Sequence, residues 1–378
     1  MRGLFHTAKV LWLGCVCGIT CLIILSACNN KAPVRIGFLA GTSGRVADLG
    51  ISGRDAAQLL IDSCNREGGV DGRPVQLVIK DDQQDPEQAR QAVKELIDAG
   101  VEALIGPMTS DMGLAVTPLI NEARLIAVSP TVSTLKLAGQ DDYFFRVAPT
   151  LREVATQSAN YHAEETGIRR VAAIYDLNNR AYCENWLKSF TASFTRQGGV
   201  IVKVVGFDTQ SGRSFLDLAE ALLDATPDGV LIIANSVDTA LICQQIRKLD
   251  TQIYITMATW GASERLLELG GRAVEGVTAF QPFDPEYKAP TYQAFRKAYL
   301  DRYHREPGFA SIAARDATHV VLTALKAKKK NEHLKDVILR LRKFDGLQGD
   351  LRFDDFGDIE RSNAIISVIR NHRFVALE

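Results

Sequence analysis

The chain has 378 residues, 46% of them hydrophobic, and a formal net charge of -1. That length supports two domains with their own cores, and the composition is too polar for a protein that crosses a membrane many times. A near-neutral chain lacks the basic face that nucleic acid requires, and its densest basic run, Lys328-Lys329-Lys330, reads as a solvated helix end.

The chain opens with Arg2 and Lys9, then an apolar stretch over 10–25, then Leu25-Ser26-Ala27-Cys28. A basic start, an apolar middle and small residues before a cleavage point predict an export signal over 1–28. Leu-Ser-Ala-Cys matches the bacterial lipobox, in which the cysteine thiol receives a diacylglyceryl group. Acyl chains contribute about 0.8 kcal/mol per buried CH₂, so Cys28 is the expected lipid attachment point. Residues 29–33 read as a short tether. Of the seven cysteines, only Cys64, Cys183 and Cys243 fall beyond this region. Their spacing is neither that of a zinc site nor that of a redox pair.

After the tether, short apolar runs alternate with amphipathic helices. Strands are predicted at 34–40, 75–79, 101–105 and 125–128, and a helix over 53–65 stops at Gly68-Gly69. Asp85-Pro86-Glu87-Gln88 opens a second helix with a capping acid and a proline in the first turn. A second series has strands at 171–175, 200–205, 230–234 and 253–257, separated by helices carrying Trp186, Phe190 and Phe194, then Phe215, Leu218 and Leu222, then Leu241, Ile246 and Leu249. This alternation predicts an α/β fold of βαβ units on parallel sheets, divided into two similar lobes. In such sheets ligands bind beyond the carboxyl ends of the strands, beside helix N-termini. The turns there are rich in Ser, Thr, Asn, Gly and Tyr, which suits a neutral or zwitterionic ligand.

Several short motifs then occur in a fixed order: Ile36-Gly37, Gly41-x-x-Gly44, Gly68-Gly69-Val70-x-Gly72-Arg73 and Asp81-Asp82-x-x-Asp85-Pro86. Ile105-Gly106-Pro107, Ser129-Pro130, Phe145-Arg146, Glu275-Gly276-Val277, Phe344-x-Gly346-x-x-Gly349 and Phe353-Asp354-x-x-Gly357-Asp358 follow. The ordered set resembles the type I periplasmic solute-binding proteins of the leucine/isoleucine/valine-binding family, from Val34 to the end. The resemblance implies a Venus flytrap of two Rossmann-like lobes joined by three crossovers. It places 34–147 plus 280–344 in lobe one and 148–279 plus 345–378 in lobe two.

The resemblance also implies a site. Ser110 aligns with the serine that receives a ligand α-carboxylate, and Val132 and Ser133 with an alanine-threonine pair supplying backbone groups and a hydroxyl. Leu49 stands where relatives often carry an aromatic. Tyr182 matches a family tyrosine after a two-residue insertion in Asn178-Asn179-Arg180. Relatives often place an acid in the segment matching Ala258-Thr259-Trp260, and here none stands there. An unpaired buried ammonium is prohibitive. Either Asp238, beside Asn235 and Ser236, supplies the carboxylate, or the ligand has no ammonium and Trp260, next to Thr259, stacks on an aromatic or amide group. Arg146 reads as structural, with reach to a ligand carboxylate as its other role.

The histidines show no metal-ligand spacing, and Gly41-Thr42-Ser43-Gly44 is neither a P-loop nor a nucleophile elbow. Asp81, Asp82 and Asp85 read as turn and cap residues rather than a calcium loop. The expectation is therefore no enzyme and no cofactor. The predicted molecule is an exported, monomeric lipoprotein facing the periplasm or cell exterior, which passes an amino-acid-like ligand to an ABC transporter permease. A sensory lipoprotein, or a binder of an aromatic carboxylate or amide, is the alternative.

Overall fold

A computed structural model describes residues 32–359 and 364–377. The predicted export signal, Cys28 and residues 29–31 of the tether lie outside the described residues.

The first lobe begins with β1 (Val34–Ala40), α1 (Ala47–Arg66), β2 (Val75–Asp81), α2 (Pro86–Asp98), β3 (Ala103–Ile105), α3 (Ser110–Ala123), β4 (Ala127–Ser129) and β5 (Phe144–Arg146). These strands form a 5-stranded parallel sheet in the order β2-β1-β3-β4-β5. β1 exposes only Arg35, as a strand covered on both faces by helices must. The side chain of Asp85 accepts from the N–H groups of Glu87 and Gln88, with Pro86 in the first turn, so α2 starts where its sequence predicts. Helix α1 starts earlier than the expected residue 53, because its first turn lies directly against the loop after β1. A Cβ on Gly50 would sit 2.1 Å from the Gly41 carbonyl oxygen, and only glycine allows that approach.

The second lobe contains α4 (Leu151–Glu164), β6 (Arg170–Asp176), α5 (Arg180–Arg196), β7 (Val200–Phe207), α6 (Phe215–Leu223), β8 (Gly229–Ile233), α7 (Ser236–Leu249), β9 (Tyr254–Met257), α8 (Glu264–Gly270) and β10 (Thr278–Gln281). On α5 the rings of Trp186, Phe190 and Phe194 stack in file, at 5.5 and 5.3 Å between centroids, and are wholly buried. The chain then returns to lobe one as α9 (Pro290–Tyr303), α10 (Phe309–Ala327) and α11 (Leu334–Leu341), and makes the hairpin β11 (Lys343–Gly346) and β12 (Gly349–Arg352). It ends in β13 (Ile365–Arg370) and β14 (Arg373–Ala376).

Two expectations need correction. The second sheet is not purely parallel: its 7 strands run β14-β13-β10-β9-β8-β6-β7, with β13 antiparallel to both β10 and β14. A tight turn at Asn371 and His372, both at positive φ, joins β13 to β14, and so short a link can only connect antiparallel strands. The stretch after 345, expected in lobe two, stays on lobe one as far as Asp358. The Arg146 N–H donates to Gly357 O at 3.0 Å, Arg146 Nε donates to Asp358 Oδ1 at 2.6 Å, and Phe353 packs on Phe145 at 5.7 Å. The buried guanidinium demands a carboxylate, and Asp358 supplies it. Only β13 and β14 join the second sheet.

Candidate functional site

The carboxyl ends of both sheets face one another across a cavity of about 100 Å³. Cavities near 150 Å³ admit a benzene-sized guest, so this one suits a small molecule.

From lobe one, β3 ends in Gly106, whose φ of +114° no other residue adopts without strain and whose added Cβ would lie 2.2 Å from Leu39 O. That turn delivers Met108, Thr109 and Ser110 to the wall, the last of them beginning α3. Thr109 Oγ1 and Ser110 Oγ are buried and have no hydrogen-bond partner. Unpaired hydroxyls at the positive dipole end of a helix suit an anion. Thr131 and Ser133 continue the wall, with Leu49 from α1 and Phe309, Ile312 and Asp316 from α10.

From lobe two come Asn179, Tyr182 and Trp186 at the start of α5, and Thr259 and Trp260 after β9. Tyr182 meets Trp260 edge-on at 5.9 Å, and burial pushes its phenol well above its ordinary range, so it stays a neutral donor. Thr259 Oγ1 donates to Phe280 O at 2.7 Å.

Leu49, Ser110, Ser133, Tyr182, Thr259 and Trp260 therefore share one wall, although their sequence separation exceeds 200 residues. The other sequence-predicted residues lie elsewhere. Val132 stands behind the wall, its N–H committed to Ser129 Oγ at 3.1 Å. Asn235, Ser236 and Asp238 occupy the start of α7 in the seam between lobes. There Asp238 pairs with Arg45 at 2.5 Å and accepts from Asn235 Nδ2 at 2.7 Å, and Ser236 Oγ donates to Asp48 at 2.6 Å. Sequence reasoning missed Thr109, Trp186, Phe309 and Asp316. Only Trp186 left a signal: it follows Tyr182 by four residues and so shares its helix face.

The cluster behind α7 predicts a pH effect. Burial, reinforced by the nearby Asp238 charge, pushes Asp176 from 3.8 up to about 6. The folded protein thus holds this proton between about pH 4 and pH 6 while the unfolded chain releases it. Its contribution to stability is complete below pH 4 and declines as pH rises through 6. In urea titrations at pH 4 and pH 7, Asp176→Asn should gain stability relative to the parent only at the higher pH.

Among the described residues no helix is long and apolar enough to cross a membrane, and no group of three or more His, Cys, Asp or Glu is placed to hold a metal ion. Cys64, Cys183 and Cys243 are free and buried.

Residues 33–368 match the family model described as periplasmic binding protein, which spans both lobes and every cavity residue named above. The chain belongs to the type I periplasmic solute-binding proteins of the leucine/isoleucine/valine-binding family. The Leu/Ile/Val-binding protein BraC3 of Rhizobium johnstonii is 25% identical over 274 residues, 70% of this chain and 71% of that one. The branched-chain amino acid transporter substrate-binding protein LivJ of Streptococcus pneumoniae, solved with isoleucine, superposes with a TM-score of 0.84 at 24% identity, covering 91% of this chain and 98% of its own. A solute-binding protein of an ABC transporter from Rhodopseudomonas palustris, solved with 3,4-dihydroxy benzoic acid, gives 0.81 at 21% identity, over 92% and 97%.

For a periplasmic binding protein, a cavity shared by two lobes ties capture to closure. Here the lobes also touch directly. Asp111 of α3 accepts from the N–H groups of Arg180 and Ala181 at 2.7 and 2.9 Å, capping α5 across the seam, while Asn179 Oδ1 accepts the Asp111 N–H at 3.2 Å. Asp48 accepts hydrogen bonds from the hydroxyls of Ser236 and Ser263, each at 2.6 Å, at the starts of α7 and α8. Lobe one thus places its own carboxylates at lobe-two helix N-termini, while the Thr109 and Ser110 hydroxyls at the start of α3 keep no partner.

Proposed function

We propose that this periplasmic binding protein is held at the outer face of a bacterial membrane by lipid on Cys28, captures a small carboxylate with an apolar, aromatic body, and hands it to an ABC transporter permease as a monomer. The observation that carries the ligand class is the pair of partnerless buried hydroxyls, Thr109 and Ser110, opening into a cavity otherwise walled by Leu49, Tyr182, Trp186, Trp260 and Phe309. The commitment of Asp238 to Arg45, and the absence of an acid at 258–260, both count against a ligand ammonium.

One observation supports a second reading. Asp316 lies on the wall, and its carboxylate, which already pairs with Arg315 at 3.1 Å and accepts the Leu347 N–H at 3.0 Å, is the acid that would face the ammonium of a branched-chain amino acid. The solved neighbours named above hold ligands of both classes.

Calorimetric titration of the full-length chain in detergent with benzoate, 4-hydroxybenzoate and L-leucine separates these readings. Aromatic carboxylates are expected to bind, and Ser110→Ala should weaken them about 10- to 100-fold, the loss of a hydrogen bond to a charged group. Binding of L-leucine without either benzoate would establish the second reading, with Asp316→Asn abolishing it. Failure of every carboxylate would end the proposal. For the anchor, Cys28→Ser should release the protein from the membrane fraction.

A further inference from the structure

We propose that Trp186 is a ligand-recognition residue, whose indole N–H donates to an oxygen acceptor on the body of the bound carboxylate, remote from the carboxylate itself. The inference rests on the carboxylate reading above and narrows it to ligands with a second acceptor.

Trp186 reads from the sequence as a core residue, one of a buried file with Phe190 and Phe194. The structure bears out the burial: the side chain is 1% exposed, and its ring stacks on Phe190 with 17° between planes. Yet Trp186 also lines the cavity, one turn along α5 from Tyr182, and its Nε1 is buried with no hydrogen-bond partner. Leaving a buried donor unpaired costs about 1–3 kcal/mol, and indole N–H groups in protein interiors usually find an acceptor.

The company it keeps gives the direction. Among the described residues, the cavity-lining side chains with partnerless buried polar atoms are Thr109, Ser110 and Trp186. The first two are hydroxyls of lobe one at the start of α3, and the third belongs to lobe two. An indole N–H only donates, so its partner is an oxygen or another acceptor and cannot be an ammonium. A hydroxyl both donates and accepts, and with the α3 dipole it suits the carboxylate. A ligand that satisfies both lobes at once carries a carboxylate for lobe one and a phenolic, hydroxyl or carbonyl oxygen for lobe two. That demand also links recognition to closure, since the second hydrogen bond forms only when lobe two arrives.

The test compares benzoate with 3- and 4-hydroxybenzoate in calorimetric titrations of the full-length chain in detergent, for the parent and Trp186→Phe. At least one hydroxybenzoate should bind more tightly than benzoate. Trp186→Phe should weaken that ligand about 10-fold more than it weakens benzoate. In the parent protein the Trp186 indole ¹H–¹⁵N resonance, which Trp186→Phe identifies by its loss, should move downfield with the hydroxybenzoate and not with benzoate. This measurement stands even where the variant fails to fold, the indole signal then being assigned against Trp260→Phe and Trp12→Phe. Equal weakening of all ligands by Trp186→Phe, or an indole resonance that ignores the hydroxyl, overturns the role of Trp186 while the carboxylate reading survives through benzoate and Ser110→Ala. Binding of none of the three overturns both.

Discussion

Arg146→Met is expected to destabilise the folded protein by about 3 kcal/mol, the low end of the range for removing one partner of a buried ion pair. Arg146 is 1% exposed, yet carries a full charge. Its Nε donates to Asp358 Oδ1 at 2.6 Å, and its Nη1 to the Thr134 carbonyl at 2.8 Å. Methionine fills much of the same volume, so the loss is mainly electrostatic. It strands the Asp358 carboxylate, whose side chain is 16% exposed and which keeps one bond, from the Gly139 N–H at 2.8 Å. That remaining bond and partial solvation keep the effect from the top of the range. Urea unfolding should show an earlier midpoint with an unchanged slope. Asp358→Asn should cost at least as much, because it leaves the buried guanidinium of Arg146 without a counter-charge. A midpoint for Arg146→Met equal to that of the parent would remove Arg146 as the residue that ties the last crossover to lobe one.

The second large effect concerns closure. The double substitution Asp48→Ala with Asp111→Ala should weaken ligand binding about 30- to 150-fold, equivalent to about 2–3 kcal/mol, although neither side chain lines the cavity. Asp111 caps α5 from across the seam with two short bonds, and Asp48 accepts hydrogen bonds from the hydroxyls of Ser236 and Ser263. Hydrogen bonds to a charged group are worth about 1.5–3 kcal/mol each, and partial exposure at this seam reduces that. Removing them favours the open arrangement, and a ligand must then spend binding energy to restore closure. The single variants should each show part of the loss. Calorimetry with the tightest-binding carboxylate gives the affinity, and small-angle scattering should show a larger radius of gyration without ligand. Secondary structure by circular dichroism should be unchanged. An affinity within twofold of the parent would mean that closure owes nothing to these two acids.

The same pairs explain why the site was only half legible. Ser110, Ser133, Tyr182, Thr259 and Trp260 stand at the ends of strands or the first turns of the helices that follow, where an open parallel sheet presents its ligand, and the structure places them on one wall. Asp238 stands at an equally suitable place, at the start of α7. Its carboxylate is nevertheless consumed by Arg45, 193 residues away in sequence, and burial raises its pKa despite that cation. Nothing local to either residue announces the pairing. Phe309 and Asp316 reach the wall because α10 packs on α1, another contact with no local signature. Trp186 was legible as a buried helical residue but not as a cavity residue, because a tryptophan in a buried helical stripe has the same spacing whether or not it also borders a cavity.

The amino-acid sequence alone determined the alternation of buried strands with amphipathic helices, the start of α2 at Asp85-Pro86, the near-neutral charge, and the ordered motifs of a two-lobed binding protein. Each is a matter of residue type at short spacing, governed by periodicity, capping and backbone freedom. Only the tertiary structure decided which strand-end groups face the guest and which bind the lobes to each other, where the chain returns from lobe one to lobe two, and that the final strands run antiparallel. Those outcomes depend on which distant side chains meet, and a charge or hydroxyl takes whichever partner packing brings within about 3 Å.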